Sequence, residues 1–146
     1  GMLCISQHLT VRHQSSGDSL TCENATVDVI TAVGGYHHVV ADCRVALTAE
    51  VFRVLRPGGI FCVIEHNPRN PITKFIVART PIDAAAELLT ANETGRLLSE
   101  AGCRVLETKF FLLFPEGVHR FTRPLEDALA AIPFGGQYAI FSRARV

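Results

Sequence analysis

What this chain lacks narrows it before anything it contains. Its fourteen basic and fourteen acidic residues cancel, so no net charge is left to draw it to nucleic acid or to an anionic membrane. No apolar run approaches the ~20 residues of a membrane-spanning helix. The opening Gly1-Met2-Leu3 has neither a basic segment nor a long apolar core, so no secretory leader is visible. The five cysteines are odd in number and widely spread, and the missing Cys-x-x-Cys pair argues against a zinc site. Cys43 and Cys62 sit in apolar patterns and read as buried thiols. A reduced, cytoplasmic protein is expected. No internal repeat or low-complexity tract breaks the chain.

What is present describes a globular core. At 146 residues, with 48% hydrophobic and 19% charged side chains, the chain suits one domain spanning residues 1–146. Val11 to Gln14 has the length of a short strand, and Val27 to Val33 is a β-branched run suited to a buried parallel strand. Asp42 is a plausible N-cap for the helix that follows. Cys43, Leu47, Val51, Val54 and Leu55 recur at helical spacing, with Arg44, Glu50 and Arg53 facing away. Pro57-Gly58-Gly59 is expected to stop that helix and turn the chain. Ile60 to Ile64 shows no polar alternation, so both faces of this strand should be covered. Asn70 caps and Pro71 opens a short helix, and Thr90-x-x-Glu93 is a capping box for another that ends at Gly102. Val105 to Phe114 reads as a long strand, Pro124 to Ile132 as a helix, and Gln137 to Ser142 as the last strand. The alternation is that of an α/β sheet with helices on its faces.

In open α/β sheets ligands sit beyond the carboxyl ends of the strands. That rule nominates Gly34 to His38, Glu65 to Asn67, and the loop from Pro115. An imidazole of His37 or His38 can take a proton from a nucleophile, or can serve only to fix its loop. Glu65 can act as a base, or Glu65-His66-Asn67 can anchor the Asn-Pro-rich loop by hydrogen bonds. Asp18 after Gly17 can be a turn residue bonding its own backbone. Tyr36 can cover a ligand, although an aromatic beside a sheet is more often core.

Gly17-Asp18-Ser19, then Val27 to Ala32, His37-His38-Val39 and Arg53-Val54-Leu55-Arg56-Pro57-Gly58-Gly59 resemble, in order and spacing, the middle of a class I S-adenosylmethionine-dependent methyltransferase domain. The likeness continues through Asn67-Pro68-x-Asn70-Pro71 and Glu93-Thr94-x-x-Leu97-Leu98. It implies an incomplete Rossmann-like sheet, mostly parallel, with an antiparallel last strand inserted and helices on both faces. It also implies a cofactor, S-adenosylmethionine, with Asp18 and Ser19 at its adenine end. Thr31, Ala32 and His37 would form the wall near its sulfonium. His38 and Glu65 would be catalytic, on the side of a small-molecule methyl acceptor, with no metal involved.

One part of the family pattern is missing. Only 16 residues precede Gly17, and none forms the glycine-rich loop that cradles the methionine half of the cofactor. Losing two or three such hydrogen bonds costs upwards of ~3 kcal/mol, so weak cofactor binding is expected of this chain alone. Strand 27–33 would then expose an apolar edge, which predicts a homodimer through it unless Val11–Gln14 pairs there instead. The alternative is a non-catalytic module that uses this edge or an apolar pocket for association.

Overall fold

A computed structural model describes residues 19–83, 86–113 and 131–144. The expected strand at Val11–Gln14, most of the helix expected from Pro124, and Asp18 lie outside these residues. Strands β1 (Val27–Val33), β2 (Leu55–His66), β3 (Cys103–Phe111) and β4 (Gln137–Ala144) form one sheet in the order β1-β2-β4-β3. β1 and β2 run parallel, and β4 is antiparallel to both its neighbours, so β1, β2 and β3 share one direction. The last strand is therefore inserted antiparallel, as the family resemblance implied.

Helices α1 (Ala41–Val54), α2 (Pro71–Val77) and α3 (Ala91–Glu100) complete the described elements. α1 and α3 touch each other and the sheet, and the core lies between them and the strands, around Phe61, Val63, Leu98, Tyr138 and Ile140. Ile30 and Ala32 of β1 pack towards that core. Side chains alternate along a strand, so Val29, Thr31 and Val33 point to the other side, where all three are exposed. Among the described residues β1 has β2 as its one strand neighbour.

The local signals of the short helices hold. The Asn70 side chain accepts from the N–H groups of Ile72 and Thr73, and Pro71 occupies the first turn, where its missing N–H costs nothing. Thr90 and Glu93 bond each other's backbone in the expected capping box. Helix α1 departs from its reading at its start. Its N-cap is Val40, without a side-chain bond, and Asp42 lies within the first turn. There its carboxylate faces the positive end of the helix dipole. The inward face also departs in the first turn, where Cys43 is exposed and Arg44 is buried, while Val51 and Val54 are buried as read. The cause is polar. The Arg44 guanidinium finds the carbonyls of Val39 and Glu87, so burying it is compensated by bonds that no hydrophobic periodicity records.

Pro57-Gly58-Gly59 does not end the helix either. α1 stops at Val54, and these residues fall inside β2. They loop out of the ladder, where Val27 pairs with Leu55 but Val29 pairs with Ile60. Gly58 takes φ +80°, which side-chain-bearing residues rarely adopt. At the other end of the sheet a Cβ on Gly135 would come within 2.5 Å of the Phe111 carbonyl oxygen, so only glycine lets that turn approach β3. β3 itself runs from Cys103 to Phe111, beginning earlier than the sequence reading and ending before Phe114.

Candidate functional site

The carboxyl ends of β1 and β2 meet in a buried polar cluster. Glu65, the penultimate residue of β2, is 1% exposed. Its Oε1 accepts the Tyr36 backbone N–H at 2.7 Å, and its Oε2 faces His37 Nδ1 at 2.5 Å. Tyr36 and His37 lie on a single 3-10 turn, Tyr36–His38, that follows β1. Both oxygens of one carboxylate thus hold the loop that leaves the neighbouring strand. The Nδ1 edge of His37 is thereby committed to Glu65. Asp83, from the 3-10 turn Pro81–Asp83, closes the other side. Its Oδ1 stands 3.3 Å from His37 Nε2 and 3.2 Å from His38 Nε2. The two imidazole rings lie with centroids 4.1 Å apart, and the His66 ring is 5.5 Å from that of His37.

The surrounding backbone fixes this arrangement. The His37 carbonyl accepts the Glu87 N–H at 3.0 Å. Arg44 donates from Nε to the Val39 carbonyl at 2.9 Å and pairs with the Glu87 carboxylate at 3.1 Å. The buried arginine therefore joins the histidine loop to the segment that follows Asp83. Below the cluster, Tyr36 is core, as read: its hydroxyl shares a hydrogen bond with Thr48, and burial pushes its phenol up to about 12.

Beside the cluster, on the far side of the β2 terminus, lies a cavity of about 380 Å³. His66, Asn70, Thr73, Ile76, Leu112 and Gln137 are among its lining residues. Asn70 lines it, and Asn67 fastens the start of the same loop. Asn67 Nδ2 donates to the carbonyls of Pro133 and Gly135, and Asn70 Nδ2 donates to that of Phe134. The anchoring alternative for the segment after β2 thus describes what Asn67 does, while Glu65 anchors the loop after β1.

The residues singled out from the sequence separate here. His37, His38 and Glu65 come together. Thr31 stands on the exposed face of β1, and Ala32 packs towards the core on the opposite face. Ser19 is exposed at the start of the described residues, and Asp18 lies outside them. After β1 the chain turns at Gly34, with φ +58°, and a Cβ on Gly35 would meet nothing within 4 Å. Among the described residues the backbone at this strand end is therefore open to a ligand. Asp83 and Arg44 were missed. Asp83 carries no spacing signal relative to the histidines, and Arg44 was concealed by a helical pattern that placed it outside.

Residues 3–63 match the family described as a methyltransferase domain. No curated protein matches the sequence at a significant level. Among solved structures, the fold is similar to that of a S-adenosylmethionine-dependent methyltransferase from Archaeoglobus fulgidus, at 16% identity and a TM-score of 0.61. That match covers 84% of this chain and 61% of the other. A methyltransferase from Thermotoga maritima described as a possible histamine N-methyltransferase matches at 15% identity and a TM-score of 0.67, covering 90% of this chain and 62% of that one. The [4+2]-cyclase SpnF matches at 18% identity and a TM-score of 0.60, over 90% of this chain and 54% of its own. At such identities the likeness shows the fold, a partial Rossmann-like methyltransferase sheet. The chain spans less than two thirds of the length of these structures.

Proposed function

We propose that this chain is the substrate-side portion of a S-adenosylmethionine-dependent methyltransferase domain acting on a small molecule, and that alone it binds the cofactor weakly. The observation that carries this reading is the His37–Glu65–Asp83–His38 cluster, which sits at the carboxyl ends of two adjacent parallel strands with a cavity beside it. When bound, S-adenosylmethionine supplies a methyl group activated on sulfur. In this reading Asp18 and Ser19 hold its adenine end, and Thr31, Ala32 and His37 belong to its wall. His38, the exposed imidazole of the cluster, takes the proton released by an oxygen or nitrogen acceptor. Glu65 has no free oxygen facing outward. Its role is to position His37 and the loop, while the cavity orients the acceptor.

Amide chemical shifts test the reading. Titrating S-adenosylhomocysteine to millimolar concentration should move the amides of Gly34–His38 with weak affinity. No shift there at millimolar ligand would refute the cofactor site. Micromolar affinity by calorimetry would refute the impairment.

A second reading is a non-catalytic association module, favoured by the exposed Val29 and Val33 on β1, at 59% and 65%. The fold leaves it open, since SpnF shares the architecture and its name states a cyclase. Either reading includes a homodimer through the β1 edge, in the cytoplasm. No described helix is long and apolar enough to cross a membrane. A monomer by light scattering, with fast amide exchange in Val27–Val33, would count against the edge interface.

A further inference from the structure

We propose that His37, His38 and Asp83 form a binding site for a divalent transition-metal ion, and that Glu65 orients His37 as a ligand. It rests on neither the cofactor nor methyl transfer: with an ion bound His38 Nε2 is a ligand, and the base role given to His38 above belongs to the metal-free chain.

The first support is geometric. One ligand atom from each of the three residues lies within 4.8 Å of the other two. Two edges of this triangle, His37 Nε2 to Asp83 Oδ1 at 3.3 Å and His38 Nε2 to Asp83 Oδ1 at 3.2 Å, are close to those of a tetrahedral zinc site. Metal–ligand bonds of about 2.0–2.1 Å at tetrahedral angles separate neighbouring ligand atoms by roughly 3.3 Å. The remaining edge joins two imidazoles, and the His38 side chain, 39% exposed, has room to swing and close it.

The second support lies behind the ligands. His37 is buried with a carboxylate facing each ring nitrogen, Glu65 at Nδ1 and Asp83 at Nε2. Each such contact needs a hydrogen or a cation between its atoms. With Nδ1 occupied by Glu65, Nε2 is the ring nitrogen left facing Asp83. A carboxylate bonded to the far nitrogen of a metal-bound histidine is the usual outer support of such sites. Glu65 is held in that role by the Tyr36 N–H at its other oxygen.

The donor set chooses the ion. Two imidazoles and one carboxylate suit zinc and its first-row neighbours, while magnesium and calcium prefer oxygen ligands. On binding, the ion exchanges waters for His37 Nε2, His38 Nε2 and Asp83 Oδ1, and any hydrogen those nitrogens hold towards Asp83 is released to solvent. Three protein ligands leave one tetrahedral position, reached past the exposed His38, for water or a substrate oxygen or nitrogen.

The test uses the full chain with Zn²⁺ and then Co²⁺ as probes. One tightly held zinc per chain is expected by elemental analysis after dialysis. The cobalt form should show visible bands of a tetrahedral site without the near-ultraviolet thiolate band that the cysteines would produce. Glu65→Gln should weaken zinc binding about 10–100-fold. His38→Ala and Asp83→Asn should weaken it more. His38 is exposed, so its variant should remain folded by circular dichroism and keeps the test interpretable. Failure to retain zinc, a thiolate band, or unchanged affinity in His38→Ala would each overturn the site.

Discussion

Two buried polar groups in this molecule look alike in composition and differ in kind. On one side stand the tyrosine pairs. Tyr36 and Thr48 share a hydrogen bond at 3.1 Å, while Tyr138 meets Thr94 at 2.7 Å and also donates to the Leu89 carbonyl. Every member is neutral, partnered and enclosed by the core. On the other side stand Glu65, His37, Asp83 and His38, ionisable groups at the strand ends, with exposure rising from Glu65 to His38. The first kind ties helices into the core, Tyr36 joining the turn after β1 to α1 and Tyr138 joining β4 to α3. The second leaves donor and acceptor capacity pointing outward, which internal packing alone does not require. Burial of a polar group therefore says little about function until its last unshared atom is located.

Breaking the ionic group should have the largest effect. Glu65→Ala removes the acceptor of both the Tyr36 N–H and His37 and leaves them buried. A loss of about 3–5 kcal/mol is expected by urea denaturation. A loss below about 1 kcal/mol would mean that water replaces the carboxylate and that the cluster is not closed from behind.

The tyrosine group should respond less. Tyr138→Phe strands the Thr94 hydroxyl and the Leu89 carbonyl, at a cost of about 1–3 kcal/mol. Tyr36→Phe should cost less, because the Thr48 hydroxyl still donates to the Arg44 carbonyl. Equal costs would show that the hydrogen-bond inventory is not what separates the two sites.

The mildest test leaves the sequence intact. Burial raises the Tyr36 phenol to about 12, and it raises Tyr138 as well. The unfolded phenols ionise near about 10, so their contribution to stability is whole below that pH. It is lost as pH climbs through the folded values. The chain has two tyrosines and no tryptophan, so tyrosinate absorbance reports on these two alone. Little signal is expected until pH rises well past 10, and a midpoint near 10 in the folded protein would contradict the enclosure.

The legibility of these two regions in the sequence differs for a physical reason. The helix at Asn70-Pro71 and the capping box at Thr90–Glu93 were readable because each bond spans two or three residues. Strand β1 was readable from its β-branched run, and the antiparallel last strand from the family resemblance. The phase of α1 was misread at Cys43 and Arg44 because an arginine that satisfies backbone carbonyls can be buried against its hydropathy. The looped-out Pro57-Gly58-Gly59 was misread because a turn signal does not state whether pairing resumes across it.

The sequence by itself determined the α/β character, the caps of α2 and α3, and the nomination of His37, His38 and Glu65 as residues at strand ends. Tertiary structure alone decided that His37 faces Glu65 across 28 positions and Asp83 across 46, and that Glu65 supports from behind while His38 faces out. Such contacts follow from the register of β1 on β2 and from where the chain after α2 returns. Neither is set by local propensity, because each is the outcome of packing the whole sheet and its covering helices at once.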